Sequence, residues 1–285
     1  MIGKILILGS AGQLAREFVK KLDSQEVDYE APAEEISSIV DFKAINRLLD
    51  DMQPSTVINC AAYNAVDAAE EDPETAYLVN GQAVENLARE CEKRGIFLVH
   101  FGSDYIFDGT KGDLYTEDDV PNPLNVYGKS KLAGELAVRE IMTRYLVFRL
   151  SWVIGPGTQN FLYKLSGWAE KNSTLKISSD EISVPTFTDN IVNVTLLALE
   201  KGLEGLYHLT NSGHASRFEL AEYYLKRQKR ENSVLPVPMS TFETVAQRPL
   251  FSAMSNQRIQ KELGITIPTW QEGVDKFCER FEKTA

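Results

Sequence analysis

Cysteine is scarce in this chain, and what there is lies scattered. Cys60, Cys91 and Cys278 are the three among 285 residues. No two stand at a metal or redox spacing, and an odd, dispersed set suits reduced thiols in a reducing compartment such as the cytoplasm. Histidine is equally rare, and His100, His208 and His214 show no metal-ligand spacing. Basic charge is in deficit: 30 Lys and Arg face 41 Asp and Glu, for a net charge of −11. Such a surface repels nucleic acid and anionic membranes, so neither is an expected partner. Long apolar runs are missing too. The opening MIGKILILGSAG is too short for a secretion signal, and Ile191 to Leu199 is broken by Asn193 and Thr195. Without a secretion signal, the sequons at Asn172 and Asn193 read as chance matches.

What is present is an alternation of short apolar runs and amphipathic stretches. Lys4 to Leu8 reads as a strand buried on both faces, followed by Gly9 and a helical pattern over Gln13 to Leu22. Further strands are expected at Val27–Ala31, Thr56–Ala61, Ile96–Gly102 and Tyr145–Leu150. Helices are expected at Phe42–Met52, Pro73–Arg94 (closed by Gly95) and Tyr127–Ile141. Strand–helix alternation implies a parallel sheet covered on both faces. The fold class is therefore α/β, a Rossmann-type doubly wound sheet with a smaller C-terminal substrate-binding lobe. Residues 1–150 form the nucleotide-binding part. Residues 151–285 form mainly the lobe, with segments around 186–200 returning to the first part. After residue 150 the rhythm loosens. A strand is expected at Leu206–Leu209, with helices at Phe218–Gln228 and Trp270–Phe281.

Gly9-Ser10-Ala11-Gly12-Gln13-Leu14-Ala15 follows the first strand. Small residues there permit a tight turn, close approach of a pyrophosphate and tight helix–strand packing, with the helix N–H groups aimed at phosphate. Ala15 stands in the third glycine position. No Gly-Lys-Ser/Thr ending follows, so a phosphate loop of the kinase type is excluded. Glu30, Glu34 and Glu35, with no Lys or Arg between Lys21 and Lys43, favour a free ribose hydroxyl and hence NADH.

Tyr127 and Lys131 are four residues apart, which puts them on one helix face. An ammonium beside a phenol lowers the phenol's pKa and readies it to exchange a proton with a carbonyl oxygen. Ser103 lies just past a strand end, where the crevice of a doubly wound sheet opens, and can bond both that oxygen and the tyrosine. A turn or helix-cap role is the plainer reading of Ser103. His100, between apolar neighbours, is expected to be a core histidine.

These residues stand in blocks that together resemble the dTDP-4-dehydrorhamnose reductases, a branch of the extended short-chain dehydrogenases. The blocks are GSAGQLAREF at 9–18, VINCAAYNAVDAAEEDPETAYLVN at 57–80, VHFGSDYIFDG at 99–109 and NPLNVYGKSKLAGE at 122–135. The resemblance implies NADPH- or NADH-dependent reduction of the C4 ketone of dTDP-6-deoxy-L-lyxo-4-hexulose to dTDP-L-rhamnose. It implies Tyr127 as proton donor, with Lys131 and Ser103 as its partners. It places Gly9, Gly12, Gln13, Leu14, Ser38, Ile39, Ala61, Ala62 and Tyr63 along the cofactor, and Ser103, Asp104, Trp152 and Arg248 along a nucleotide-sugar substrate.

Some departures bear on the sugar: Gly102 for a common serine, Asn64 for a frequent threonine, Glu181 for a glutamine, and Phe251 for the asparagine of an Arg-Pro-x-Asn-Ser run. A related nucleotide-activated 4-keto-6-deoxysugar is the alternative substrate. A non-catalytic regulatory subunit and a same-fold epimerase or dehydratase are the other readings. Some members hold Mg²⁺ at a homodimer contact, and Glu17 matches one ligand position. One carboxylate is not a site, so Glu17 is expected as a solvated helix glutamate and no metal ligand is assigned.

Overall fold

The computed structural model describes residues 3–282. Its first half alternates as the apolar pattern demands: β1 (Ile5–Leu8), α1 (Gln13–Gln25), β2 (Tyr29–Glu30), α2 (Glu34–Ser37), α3 (Phe42–Met52), β3 (Thr56–Asn59), α4 (Val66–Glu71), α5 (Pro73–Tyr77), α6 (Ala83–Arg94), β4 (Phe97–Ser103), α7 (Val126–Ile141) and β5 (Tyr145–Leu150). The stretch expected as one helix over Pro73–Arg94 is interrupted. Residues Leu78–Gln82 form a π-turn between α5 and α6.

The second half continues with β6 (Val153–Ile154), α8 (Phe161–Lys171), β7 (Thr174–Ser178), β8 (Ile182–Ser183), β9 (Thr186–Phe187), α9 (Thr188–Glu200) and β10 (Gly205–His208). It ends with β11 (Ala215–Ser216), α10 (Arg217–Arg227), β12 (Ser233–Val237), α11 (Gln257–Leu263) and α12 (Trp270–Glu282).

Six strands form one parallel sheet in the order β10-β5-β4-β3-β1-β2. The alternating residues of β1 show why it is covered on both faces. Ile5 and Ile7 pack with Leu14, Phe18 and Leu22 of α1, Ile191 and Val194 of α9, and Ile259 of α11. Leu6 and Leu8 pack with Ile45 and Leu49 of α3, Val84 and Leu87 of α6, and Val138 of α7. A strand buried on both faces reads as continuous apolar sequence, which is what KILIL is. The strand Leu206–Leu209, expected in the loosened C-terminal part, instead forms the outer edge of this sheet, pairing Leu206 with Val147. A third apolar cluster, with Trp152, Leu162, Phe187, Tyr224 and Trp270, sits under β6, α8, β9, α10 and α12.

The strand order places the site. From β1 the chain moves outward to β2, then returns past β1 to β3 and onward. The loops after β1 and β3 therefore diverge, and ligands of doubly wound sheets bind in the crevice such a reversal opens.

Glu17 differs from its expected solvated state. It is buried at 5% exposure and accepts from Arg280 of α12 at 3.0 Å. The ion pair with Arg280 is a long-range contact that local helical spacing does not reveal.

Candidate active site

A cavity of about 780 Å³ opens at the β1/β3 reversal and runs toward the C-terminal lobe. Its inner wall includes Gly12, Gln13 and Leu14 after β1, and Asn59, Cys60, Ala61 and Ala62 after β3. Gly9 lets the chain leaving β1 touch the chain leaving β3 just before the two loops diverge. Its φ is +77°, and a Cβ there would stand 2.6 Å from the Ala61 nitrogen. Intrahelical bonding in α1 begins with the Arg16 N–H, 3.1 Å from the Gly12 carbonyl. The preceding N–H groups point out of the helix end, and Gly12 provides no side chain to cap them. Ala15, in the third glycine position, is fully buried against the sheet, so its methyl group faces away from the cavity. Gln13 donates to the Val153 carbonyl at 3.1 Å, while its buried Oε1 has no protein partner.

Four residues placed on the cofactor side are not part of the cavity wall: Gly9, Ser38, Ile39 and Tyr63. Ile39 is 5% exposed and packs with Leu6, Leu8 and Ile45, so its side chain is core. Ser38 is half-buried at the end of α2. Tyr63 is clamped by Asn80 of the π-turn, which accepts from its N–H at 2.9 Å and donates to its carbonyl at 3.0 Å. Glu30, which carried the leaning to NADH, is committed to Lys4 at 2.7 Å.

Asn125 starts α7 by accepting from the Gly128 N–H at 2.7 Å, a side-chain cap that fixes where Tyr127 projects. Tyr127 and Lys131 both face the cavity and both are buried. The Tyr127 hydroxyl lies 3.5 Å from Asn64 Oδ1. Burial pushes the phenol up to about 12; the Ser103 hydroxyl pulls it down and the Asp104 charge pushes it further up. Lys131 Nζ donates to the Phe101 carbonyl at 2.7 Å, and burial draws the amine down to about 8 against the opposing charge of Glu135. The expected lowering of the phenol by the lysine is thus not found here. Shared helical spacing brings the two to one face, but the ammonium is turned to a strand carbonyl and desolvation dominates the phenol.

Ser103 has the cap role and a place in the cavity wall. It closes β4, accepts from the Tyr105 N–H at 3.2 Å as a cap, and also lines the cavity beside Tyr127. Asp104 follows, 2% exposed, with its Oδ2 accepting from Ser183 at 2.7 Å and Ser252 at 2.6 Å. Burial raises its carboxyl to about 6 despite those two donors. A carboxyl raised on folding holds its proton more tightly in the native state, so stability falls as pH rises from about 4 through 6. At one pKa unit per 1.36 kcal/mol the cost above that window is roughly 3 kcal/mol. Asp104→Asn keeps an acceptor and cannot ionise. Thermal melts should therefore show it gaining on the native chain at pH 8 relative to pH 4; an equal gap at both values would sink this account.

His100 is the core histidine expected. It is 1% exposed, 3.2 Å from Asn59 Nδ2, and held neutral by burial.

At the outer end, Trp152 has a left-handed φ of +36° and is 9% exposed. The Arg217 guanidinium stacks 3.5 Å from its ring centroid and approaches Glu181 at 3.5 Å. Arg248 forms a two-pronged pair with Asp67 of α4, at 3.0 and 2.6 Å, which holds the Asp67 carboxyl below its usual range. Asp67 also accepts from the Ala246 N–H at 3.0 Å, so the segment before Pro249 is strapped across the cavity.

Residues 3–283 match a family model described as the RmlD substrate binding domain. A dTDP-4-dehydrorhamnose reductase of Burkholderia thailandensis is 34% identical, over 97% of this chain and 98% of that protein. The chain belongs to the dTDP-4-dehydrorhamnose reductase family. The Escherichia coli enzyme of that name is 31% identical over 99% of both chains. A crystal structure of the Bacillus anthracis enzyme in complex with NADP superposes with a TM-score of 0.94, at 29% identity, covering 98% of this chain and 100% of that one.

Within this family the departures gain a physical reading. Phe251, in the place of an asparagine, turns edge-on to His214 at 5.7 Å and is not in the cavity wall. Ser252 beside it keeps its contact with Asp104. Glu181 retains a polar group in the wall, now paired with Arg217. Sequence reasoning missed Arg217, Lys164 and Lys176, all of which line the cavity. Arg217 did carry a signal. It is the first residue of α10, where a cation opposes the helix dipole and asks for another reason to be there. Among the described residues no helix is long and apolar enough to cross a membrane, and no group of three or more His, Cys, Asp or Glu is placed to hold a metal ion.

Proposed function

We propose that this chain reduces the C4 ketone of a dTDP-4-dehydro-6-deoxy-L-sugar to dTDP-L-rhamnose with NADPH or NADH. The observation that carries the reading is one cavity lined at once by the Gly12–Leu14 turn and by Ser103, Tyr127 and Lys131. The donor set fits a dinucleotide. Uncapped N–H groups at the start of α1 suit a pyrophosphate, and the unpartnered Gln13 Oε1 awaits a donor. Gly12, Gln13 and Leu14 would hold the pyrophosphate, with Ala61 and Ala62 on the adenosine–ribose side. Lys131 uses one of its three donors on Phe101, leaving two for a ribose.

When bound, the reduced nicotinamide supplies a hydride to the ketone carbon. Tyr127 gives its phenolic proton to the ketone oxygen. Ser103 donates a hydrogen bond to that same oxygen as negative charge grows on it. Asp104 and Trp152 would hold the sugar. Arg248, a planar fork suited to paired oxygens, would meet the diphosphate by exchanging its Asp67 partner for phosphate oxygens.

The test is a panel of nucleotide 4-ketosugars with NADH and NADPH in parallel, followed by the near-ultraviolet absorbance of the reduced nicotinamide. Net consumption of the reduced cofactor with a dTDP-4-keto-6-deoxysugar is expected. Turnover of the sugar without net consumption would point instead to an epimerase or dehydratase, and consumption with none of the panel would overturn the reading.

A further inference from the structure

Glu135 takes no part in the chemistry above, yet it is fully buried one helical turn beyond Lys131. Tyr127, Lys131 and Glu135 follow at intervals of four along α7, so they share a helix face. Arg149 of β5 fixes the carboxylate, donating from Nε to Oε2 at 2.9 Å and from Nη2 to Oε1 at 2.6 Å. Arg139, on α7 itself, adds a 3.3 Å contact. Arg149 is 1% exposed, lies 5.4 Å from the Phe107 ring centroid and reaches His208 at 3.2 Å.

Toward the active site the carboxylate meets Gly102. A Cβ at that position would stand 3.2 Å from Glu135 Oε2, so the glycine admits the carboxylate to the strand. The residue before it, Phe101, gives its carbonyl to Lys131 Nζ at 2.7 Å. Carboxylate and ammonium thus border the same short segment of β4. Tyr127 lies on the same helix face as Lys131, and His100 on β4, which also feels the lysine charge, is kept neutral by burial. Asp104 lies beyond Ser103, and Glu70 of α4 is spent on the Val126 N–H at 2.7 Å.

We propose that Glu135, locked by Arg149 and admitted by Gly102, is a positioning residue for Lys131, supplying the buried negative charge that keeps this lysine cationic in the cavity. The consequence for catalysis rests on the reductase reading; the charge relation itself does not. Burial drives Lys131 toward its neutral form, and Glu135 is the carboxylate that opposes it. An opposite charge within about 4–6 Å moves a titration by about 1–3 pH units.

The experiment uses the full chain with lysine labelled at the ε carbon and follows the Lys131 signal, assigned through Lys131→Met, by NMR against pH. Glu135→Gln is expected to lower the Lys131 midpoint by about one unit or more. Glu135→Asp should return most of it. Glu135→Gln strands Arg149, so the pair Glu135→Gln with Arg149→Met removes both charges and serves if the single variant does not fold; its midpoint should also lie below the native one, by less. With a reducible sugar, the alkaline limb of kcat should move down by the same amount at unchanged KM. A native midpoint in every Glu135→Gln background, or a uniform loss of kcat with an unmoved limb, overturns the proposal. Failure of the native chain to reduce any ketosugar would instead overturn the functional reading, and the titration would still decide the role of Glu135.

Discussion

Tyr127→Phe should lower kcat by about 10²–10⁴-fold, the range a positioned general acid contributes. The substitution is a narrow one. The ring stays, and with it the edge-on contact to Tyr105 at 5.6 Å between centroids. Only the hydroxyl goes, and with it the long 3.5 Å approach to Asn64 and the contact with the Ser103 hydroxyl. Stability and cofactor affinity should both hold, the latter measured by fluorescence titration of the reduced nicotinamide. The high phenol pKa of about 12 has a use in the reducing direction. The proton stays on Tyr127 at neutral pH until a substrate oxygen becomes basic enough to take it. Lys131, at about 8, loses its charge first as pH rises. The first alkaline loss of activity should therefore reflect the lysine. Turnover at the native rate by the phenylalanine variant would end the mechanism.

Arg149→Ala should cost about 3–5 kcal/mol of stability, the loss seen when one partner of a buried ion pair is removed. Glu135 would then be a fully buried carboxylate with only the partly exposed Arg139 beside it. Urea unfolding measures this directly. The contrast is the surface pair of Arg89 with Glu85 at 2.8 Å, whose side chains are 62% and 45% exposed. Its removal should cost about 0–1 kcal/mol, since water already solvates both charges. Losses of the same size at the two sites would mean that burial does not govern the Glu135 pair.

Much of the first half was legible in the sequence because local pattern decided it. The helix over Phe42–Met52 and the strand over Tyr145–Leu150 have the limits that their apolar spacing suggested. Gly95 ends α6 with φ +66° as a C-cap should. Ser103, Tyr127 and Lys131 converge because a strand end and a helix face are both readable from spacing.

What escaped was decided by distant contacts. The π-turn at Leu78–Gln82 has the same apolar spacing as a helix. It serves Asn80, whose amide holds Tyr63 and also bonds Ser130 at 3.0 Å. The Arg280 partner of Glu17 lies 263 residues away. Arg217 reaches the cavity only because α10 starts beneath Trp152. In each case the deciding neighbour is remote in sequence, and no local period encodes it.

The place of β10 at the sheet edge sets how this molecule can be divided. Cleavage at residue 150 would look natural from the end of the alternation. The resulting N-terminal fragment would lack β10, which pairs with β5 from Leu146 to Arg149, and α9, which covers Ile5 and Ile7. It would expose a long, apolar strand edge and an uncovered sheet face, the pairing template that drives strands of separate chains together. The C-terminal piece would carry away a strand with no sheet to join. Strand β10 and helix α9 therefore belong to the sheet of the first half. A chain split at residue 150 should aggregate, measured by light scattering, whereas a split at an exposed turn outside these crossings should leave every strand with its neighbour.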